Sequence, residues 1–160
     1  IDLSEEMLKV AQQKIERFSI KPNIRLLCED AENLSLSSNT FDIITISFGI
    51  RNFENIVNGL SECHRILKEG GSLFIMEFST PKHKVFNVLY RIYSKHILPL
   101  IGQVISNDDK AYKYLPESIV EFNREHEFTE LLLNNGFDSC ISISLSNGIA
   151  HIYIGVKSKM

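Results

Sequence analysis

The sequence predicts an α/β fold: a mainly parallel sheet with helices between its strands, ending in an antiparallel C-terminal hairpin. Three observations carry this. Short β-branched apolar runs alternate with helical periodicity through the first half of the chain, the pattern of strand–helix–strand units. The run from Phe41 to Ser47 is apolar almost throughout, as a strand covered on both faces would be. Two late runs, from Ser139 to Leu145 and from Ile149 to Val156, are separated only by a short stretch starting at Ser146. That is too short for a crossover and sufficient for a hairpin.

Each element follows from its residues. Ile1-Asp2-Leu3 reads as the tail of a buried strand. Ser4 is a helix cap, and Glu5 and Glu6 sit where the positive helix end favours carboxylates. Met7, Leu8, Ala11, Ile15 and Phe18 then recur on one helical face. Lys21-Pro22-Asn23 is a turn. Ile24 to Cys28 reads as a strand delivering Glu29-Asp30-Ala31 to a loop, and Ser37-Ser38-Asn39-Thr40 breaks the pattern before the Phe41 strand. Ile56, Leu60, Cys63 and Leu67 mark a helix, for which Gly70-Gly71 is the expected stop. Ser72 to Phe78 is the next strand. Residues 85–98 read as helical, and 112–122 as turns with a short helix. Phe128 to Leu133 is a helix ended by Asn135-Gly136.

Bulk properties exclude several classes. The chain has 160 residues, 44% hydrophobic and 23% charged, which matches one ordinary globular domain spanning 1–160. The net charge of −3 is spread along the chain, so no basic face points to nucleic acid. Cys28, Cys63 and Cys140 are isolated and odd in number, which argues against a disulfide framework and for a reducing, cytoplasmic setting. The five histidines have no ligand spacing, so no metal site is expected. No apolar run reaches the ~20 residues of a membrane-spanning helix. The chain opens on Ile-Asp without an initiator Met and reads as part of a longer protein.

The most informative stretch runs from Arg65 to Ser79. A basic helix end meets Lys68-Glu69-Gly70-Gly71, and an apolar strand then closes on Glu77-Phe78-Ser79. Lys-x-Gly-Gly recurs across nucleotide-fold methyltransferases; the Glu-Phe-Ser ending is narrower. Together with Ile46-Ser47-Phe48-Gly49-Ile50-Arg51-Asn52 it resembles the ubiquinone/menaquinone biosynthesis C-methyltransferase family (UbiE-type). The segment Asn107 to Ile119 resembles that family's substrate-side motif, and the likeness runs from Ile1 nearly to the last residue. Glu69 stands where the family has Pro, at a surface turn. The resemblance implies a class I S-adenosylmethionine-dependent methyltransferase sheet (Rossmann-like) and C-methylation of a polyprenyl quinol ring, either demethylmenaquinol or a methoxybenzoquinol.

In an open α/β sheet the ligand lies at the carboxyl ends of the strands, and Asp2, Asp30 and Ser47 fall there. By the resemblance, Asp2, Asp30, Ala31 and Ser47 contact S-adenosylmethionine; as residues alone, the two acids serve equally well as helix caps or solvated loop acids. Arg51 and Asn52 are the candidates for handling the ring oxygen. Because Arg stays protonated, Arg51 is expected to stabilise a developing phenolate. Phe48, Glu77, Tyr112 and Tyr114 are the substrate-side candidates, with Glu77 either holding a substrate-side loop or orienting Arg51. Residues 85–122 form the expected lid, whose apolar part suits a prenyl tail or a peripheral membrane contact; a homodimer is left open. The family's first strand, beside the Phe41 strand, and its Gly-rich turn would precede Ile1. The 160-residue chain alone is therefore expected to bind the methyl donor poorly and to turn over nothing. Two other readings stand beside the quinol one: another small-molecule methyltransferase of the same sheet, or a non-catalytic remnant.

Overall fold

Ser4 sets the first helix. Its Oγ accepts from the Met7 amide at 3.3 Å, and Glu5 and Glu6 fill the first turn of α1, Glu5–Arg17. The computed structural model describes residues 1–18, 23–81, 87, 88, 90, 92, 119 and 128–159. On α1 the predicted face is half-buried at Leu8, Ala11 and Ile15, while Met7 and Phe18 lie exposed.

After α1 come β1 (Phe41–Ser47), a 3-10 turn (Ile50–Asn52), α2 (Ile56–Ile66) and β2 (Leu67–Phe78). The last third adds α3 (Phe128–Asn134), β3 (Phe137–Leu145), a 3-10 turn (Ser146–Gly148) and β4 (Ala150–Lys157). The sheet order is β1-β2-β4-β3, with β1 parallel to β2 and the other pairs antiparallel. The predicted parallel start and C-terminal hairpin are both present.

Three local expectations are corrected. The helix before Gly70-Gly71 ends at Ile66, and the glycines lie inside β2. Phe41 pairs with Leu67 and Ile43 with Ser72, so the residues between bulge out of the ladder. Gly70 takes φ +75°, and a Cβ on Gly71 would come within 2.8 Å of the Lys68 carbonyl oxygen. The glycines therefore serve close backbone approach rather than a helix stop. The Ile24–Cys28 strand reduces to one parallel bridge between Asp2 and Cys28, with the Asp2 amide on the Leu27 carbonyl at 3.2 Å. Finally, β1 is not covered on both faces. Among the described residues it pairs with β2, and Ile43 is 60% exposed.

β2 is the centre of the fold. Alternate residues Leu73, Ile75 and Glu77 are buried on one face, against α2 and α3. Leu60 and Cys63 from α2, Phe128 and Leu132 from α3, and Phe137 from β3 complete this core with Ile50. Each fully buried Leu or Ile contributes about 1.5–3 kcal/mol. Burial pushes the Cys63 thiol up to about 12.

Candidate functional site

Parallel pairing brings two strand ends to one rim: Ser47, the last residue of β1, lies opposite Met76 of β2. Phe48 extends the ladder by one bond, from its amide to the Met76 carbonyl at 2.8 Å. It then turns with φ +57°, a left-handed backbone costly for a bulky residue. Its ring stacks on Phe78, centroids 4.3 Å apart and planes 27° from parallel. Ile50, fully buried in the core, anchors the 3-10 turn that follows. Asn52, exposed, closes that turn through its amide on the Gly49 carbonyl at 3.0 Å.

Anchoring Ile50 aims Arg51 back at β2. Its Nη1 donates to Glu77 Oε1 at 2.6 Å and to the Phe48 carbonyl at 2.7 Å. The pair is desolvated, with side-chain exposures of 10% for Arg51 and 0% for Glu77. Glu77 Oε1 also accepts from the Phe78 amide at 2.8 Å, and Oε2 from the Arg51 amide at 3.4 Å. Glu77 thus faces Arg51 and backbone, not an open substrate side. Of the two roles expected for it, orienting Arg51 is the one this geometry favours. The Arg51 guanidinium carbon lies 5.9 Å from the Phe78 ring centre. Its Nε is buried and has no hydrogen-bond partner among the described residues.

The other part of the rim holds the residues expected to contact the methyl donor. Asp2 and Asp30 are both exposed in part or whole, and each turns one carboxylate oxygen onto its own loop. Asp2 Oδ1 accepts from the Ser4 amide at 2.8 Å and Asp30 Oδ1 from the Glu32 amide at 2.9 Å. Oδ2 of each makes no such bond among the described residues and remains an acceptor for a ligand. Ala31 lies between Asp30 and Glu32, and Glu32 ties this loop to the segment that follows the Ile50–Asn52 turn. Its two oxygens accept from the Glu54 amide at 2.7 Å and the Asn55 amide at 3.0 Å, at the start of α2. Further along, Arg65 holds the Leu34 and Leu36 carbonyls at 3.1 and 2.7 Å, while Glu62 Oε2 takes the Leu34 amide at 2.9 Å. The Arg65 hydrogen bond lowers the Glu62 carboxyl below its ordinary value, and two bonds from Ser35 do the same for Glu29.

Ser47, Phe48, Arg51, Asn52 and Glu77 therefore meet at the joined ends of β1 and β2, with the Asp30–Ala31 loop tied to them through Glu32. Asp2 joins the Asp30 loop through the bridge at Cys28. Tyr112 and Tyr114 lie outside the described residues, as does most of the expected lid. The sequence reading missed Phe78, Glu32 and Arg65. Phe78 was adjacent to a chosen residue, but only the stacked geometry assigns it to the site. Nothing in the sequence ties Glu32 to the start of α2 or Arg65 to the Leu34 and Leu36 carbonyls, partners that lie 22 to 31 positions away.

The acceptor-only carboxylates suit hydroxyl and amino donors of a nucleoside, and the fixed guanidinium suits negative charge growing on an oxygen. Residues with these properties fit S-adenosylmethionine at Asp2, Asp30, Ala31 and Ser47. No group of three or more metal-ligating side chains occurs among the described residues. No described helix is long and apolar enough to cross a membrane.

Comparison with known proteins gives the family and the fold. Residues 1–157 match the model of the ubiE/COQ5 methyltransferase family. The chain is 38% identical over 157 residues to a demethylmenaquinone methyltransferase of Porphyromonas gingivalis, covering 98% of this chain and 64% of that protein. It is 40% identical over 156 residues to a mitochondrial 2-methoxy-6-polyprenyl-1,4-benzoquinol methylase of Bos taurus, covering 98% and 47%. The chain thus spans about half to two-thirds of the length of the curated relatives it matches. Among solved structures, a SAM-dependent methyltransferase from Aquifex aeolicus superposes with a TM-score of 0.65 at 16% identity, covering 96% of this chain and 65% of that one. That likeness shows the class I methyltransferase fold.

Proposed function

The chain belongs to the ubiE/COQ5 methyltransferase family, and from that premise we propose that it takes part in S-adenosylmethionine-dependent C-methylation of a polyprenyl quinol ring. When bound, the cofactor supplies an electrophilic methyl on a sulfonium sulfur. The residues of this chain do the rest. Asp2 and Asp30 accept from the nucleoside's hydroxyl and amino groups, Ala31 leaves room for the flat base, and Ser47 lines the end of the strand beside it. Phe48 and Phe78 offer an aromatic wall for the acceptor ring.

The observation that carries the reading is Arg51. A quinol carbon becomes nucleophilic as its neighbouring hydroxyl loses a proton, so negative charge grows on that oxygen. A desolvated guanidinium, fixed in advance, stabilises that charge without reorganising. A guanidinium donates hydrogen bonds and accepts none, so the proton leaves to solvent. The new carbon–carbon bond forms as the sulfur–carbon bond breaks, and one proton is released overall. Asn52, next on the turn, is the second candidate for the ring oxygen. The prenyl tail calls for a peripheral bilayer contact in the same proposal, which sedimentation with liposomes tests.

The deciding experiment uses a longer form of the protein that carries the family's first strand and Gly-rich turn ahead of Ile1, supplies S-adenosylmethionine with short-chain demethylmenaquinol and benzoquinol, and follows methylated product by mass spectrometry. Methyl transfer to at least one is expected, with Arg51→Gln slower by about 100-fold. Transfer to neither quinol, by a protein that methylates other acceptors, overturns the reading.

A further inference from the structure

We propose that Glu77 is a positioning residue: a buried carboxylate that fixes the Arg51 guanidinium in one orientation and balances its charge until the acceptor is bound. The inference deepens the quinol reading and rests on it. Nothing in a methyl transfer needs a second carboxylate at this point, and burying one is expensive unless it is fully paired. Glu77 is fully buried on the core face of β2. It grips Arg51 at both ends, through the guanidinium Nη1 at 2.6 Å and the main-chain amide at 3.4 Å. The Phe78 amide, at 2.8 Å, holds Glu77 itself.

The consequence is geometric. Both hydrogen bonds of the guanidinium to described residues leave from one nitrogen, Nη1, to Glu77 and to the carbonyl of Phe48. That carbonyl belongs to the residue held at φ +57°. With one nitrogen clamped and the Phe78 ring 5.9 Å away, the fork cannot turn freely, and Nε is left buried without a partner among the described residues. A donor unmet in this way is a cost to the fold that an oxygen acceptor removes. The strained Phe48 turn, the buried acid and the unmet donor all converge on the same guanidinium. A point charge needs no such support; a directed fork does. The resting pair is also neutral overall, which suits an acceptor arriving as the uncharged quinol and acquiring its charge only in the transition state.

The test combines kinetics with a readout that does not depend on turnover, in the longer form of the protein that carries the family's first strand and Gly-rich turn. Glu77→Gln, which keeps the shape and loses the charge, is expected to lower kcat by about 10- to 100-fold. The acceptor KM and the affinity for S-adenosylmethionine should stay near wild type. Combined with Arg51→Gln, it should add little to the loss from Arg51→Gln alone, because the two act as one unit. A merely structural Glu77 would lower thermal stability, leave kcat of the folded fraction unchanged, and give independent, multiplying effects in the cycle; that result overturns the proposal. Arg51→Lys guards against a variant that does not fold. It preserves the charge without the fork, and full kcat in that variant also overturns the proposal. Side-chain NMR of Arg51 separates the two levels of inference. A single, slowly exchanging Nε–H resonance is expected in the wild type, lost in Glu77→Gln, whichever acceptor the enzyme prefers. If the wild type is inert toward quinols, the proposed function falls; an unchanged resonance in Glu77→Gln removes the positioning role alone.

Discussion

The ammonium of Lys157, at the end of β4, donates at 2.8 Å to the carbonyl of His64 in the last turn of α2. The same nitrogen reaches the Leu67 carbonyl at 2.8 Å and Asn39 Oδ1 at 2.9 Å. Lys157 is only 9% exposed, so its three donors meet three acceptors with little help from water. Carbonyls at a helix C-terminus lack intrahelical partners and attract cations. One side chain thus fastens the end of α2, the start of β2 and the turn before β1 to the final strand.

Lys157→Met keeps the stem and removes the ammonium, leaving these oxygens unmet. A loss of about 2–4 kcal/mol is expected, since each buried acceptor left unsatisfied costs about 1–3 kcal/mol and neighbouring losses do not add fully. Chemical denaturation of the two proteins measures it. A loss below half a kcal/mol would mean that water replaces the ammonium.

Gly59→Ala sets two effects against each other. Alanine favours a helix interior over glycine by about 1 kcal/mol. A Cβ at Gly59, however, would lie 2.3 Å from the Phe53 ring, which rests across α2 at that point. Overpacking of this kind costs about 1–3 kcal/mol, and the clash wins. Since Phe53 directly follows the Arg51–Asn52 turn, methyl transfer should fall together with the melting temperature. Adding Phe53→Ala should restore helix stability without restoring activity.

Arg65→Ala releases the Leu34 and Leu36 carbonyls, the Ser38 hydroxyl and Glu62 together. The side chain is 34% exposed, so the stability loss is small. The larger effect is expected on the loop carrying Asp30. In the longer form of the protein that carries the family's first strand, affinity for S-adenosylmethionine, measured calorimetrically, should weaken several-fold, with kcat at saturating donor little changed. Unchanged affinity would show that the loop keeps its place without the clamp.

His64 predicts a pH dependence. Burial, and then the charge of Lys157, lower its imidazole below the ordinary 6.5; the Gly136 backbone and Asp138 oppose this more weakly. A folded state that disfavours the imidazolium loses stability as the unfolded chain gains protons. The contribution of His64 is complete above 6.5 and declines as pH falls through its lowered folded value. Stability curves between pH 7.5 and about 5 should therefore slope downward toward acid, and His64→Gln should flatten that slope. An equal slope in the variant would assign it to other groups.

Local chemistry made much of the fold legible. Ser4, Glu5 and Glu6 announce α1, and Asn135-Gly136 ends the helix at Phe128 as expected. The brief interval at Ser146 admits only a hairpin, and β3 and β4 form one. Where the same reasoning failed, the cause was tertiary. Gly70-Gly71 carries the signal of a helix stop, yet pairing with β1 pulls Leu67 into the strand, and the glycines absorb the bulge. The Ile24 run has strand composition but only one bridge, because strands need a ladder and composition supplies none.

What the sequence alone determined is the order of strands and helices from Phe41 to Phe78 and from Phe128 on, the strand ends to which Ser47, Phe48, Arg51 and Glu77 belong, and the family likeness of the motifs that hold them. These rest on neighbours along the chain, whose spacing and chemistry are visible in one dimension. Only the tertiary structure decided that Glu77 faces Arg51 across 26 positions, that Phe78 stacks on Phe48, and that Lys157 closes α2 from 93 positions away. Those pairings depend on strand register and on which face of β2 each side chain takes, and a shift of one residue would turn Glu77 out of the core.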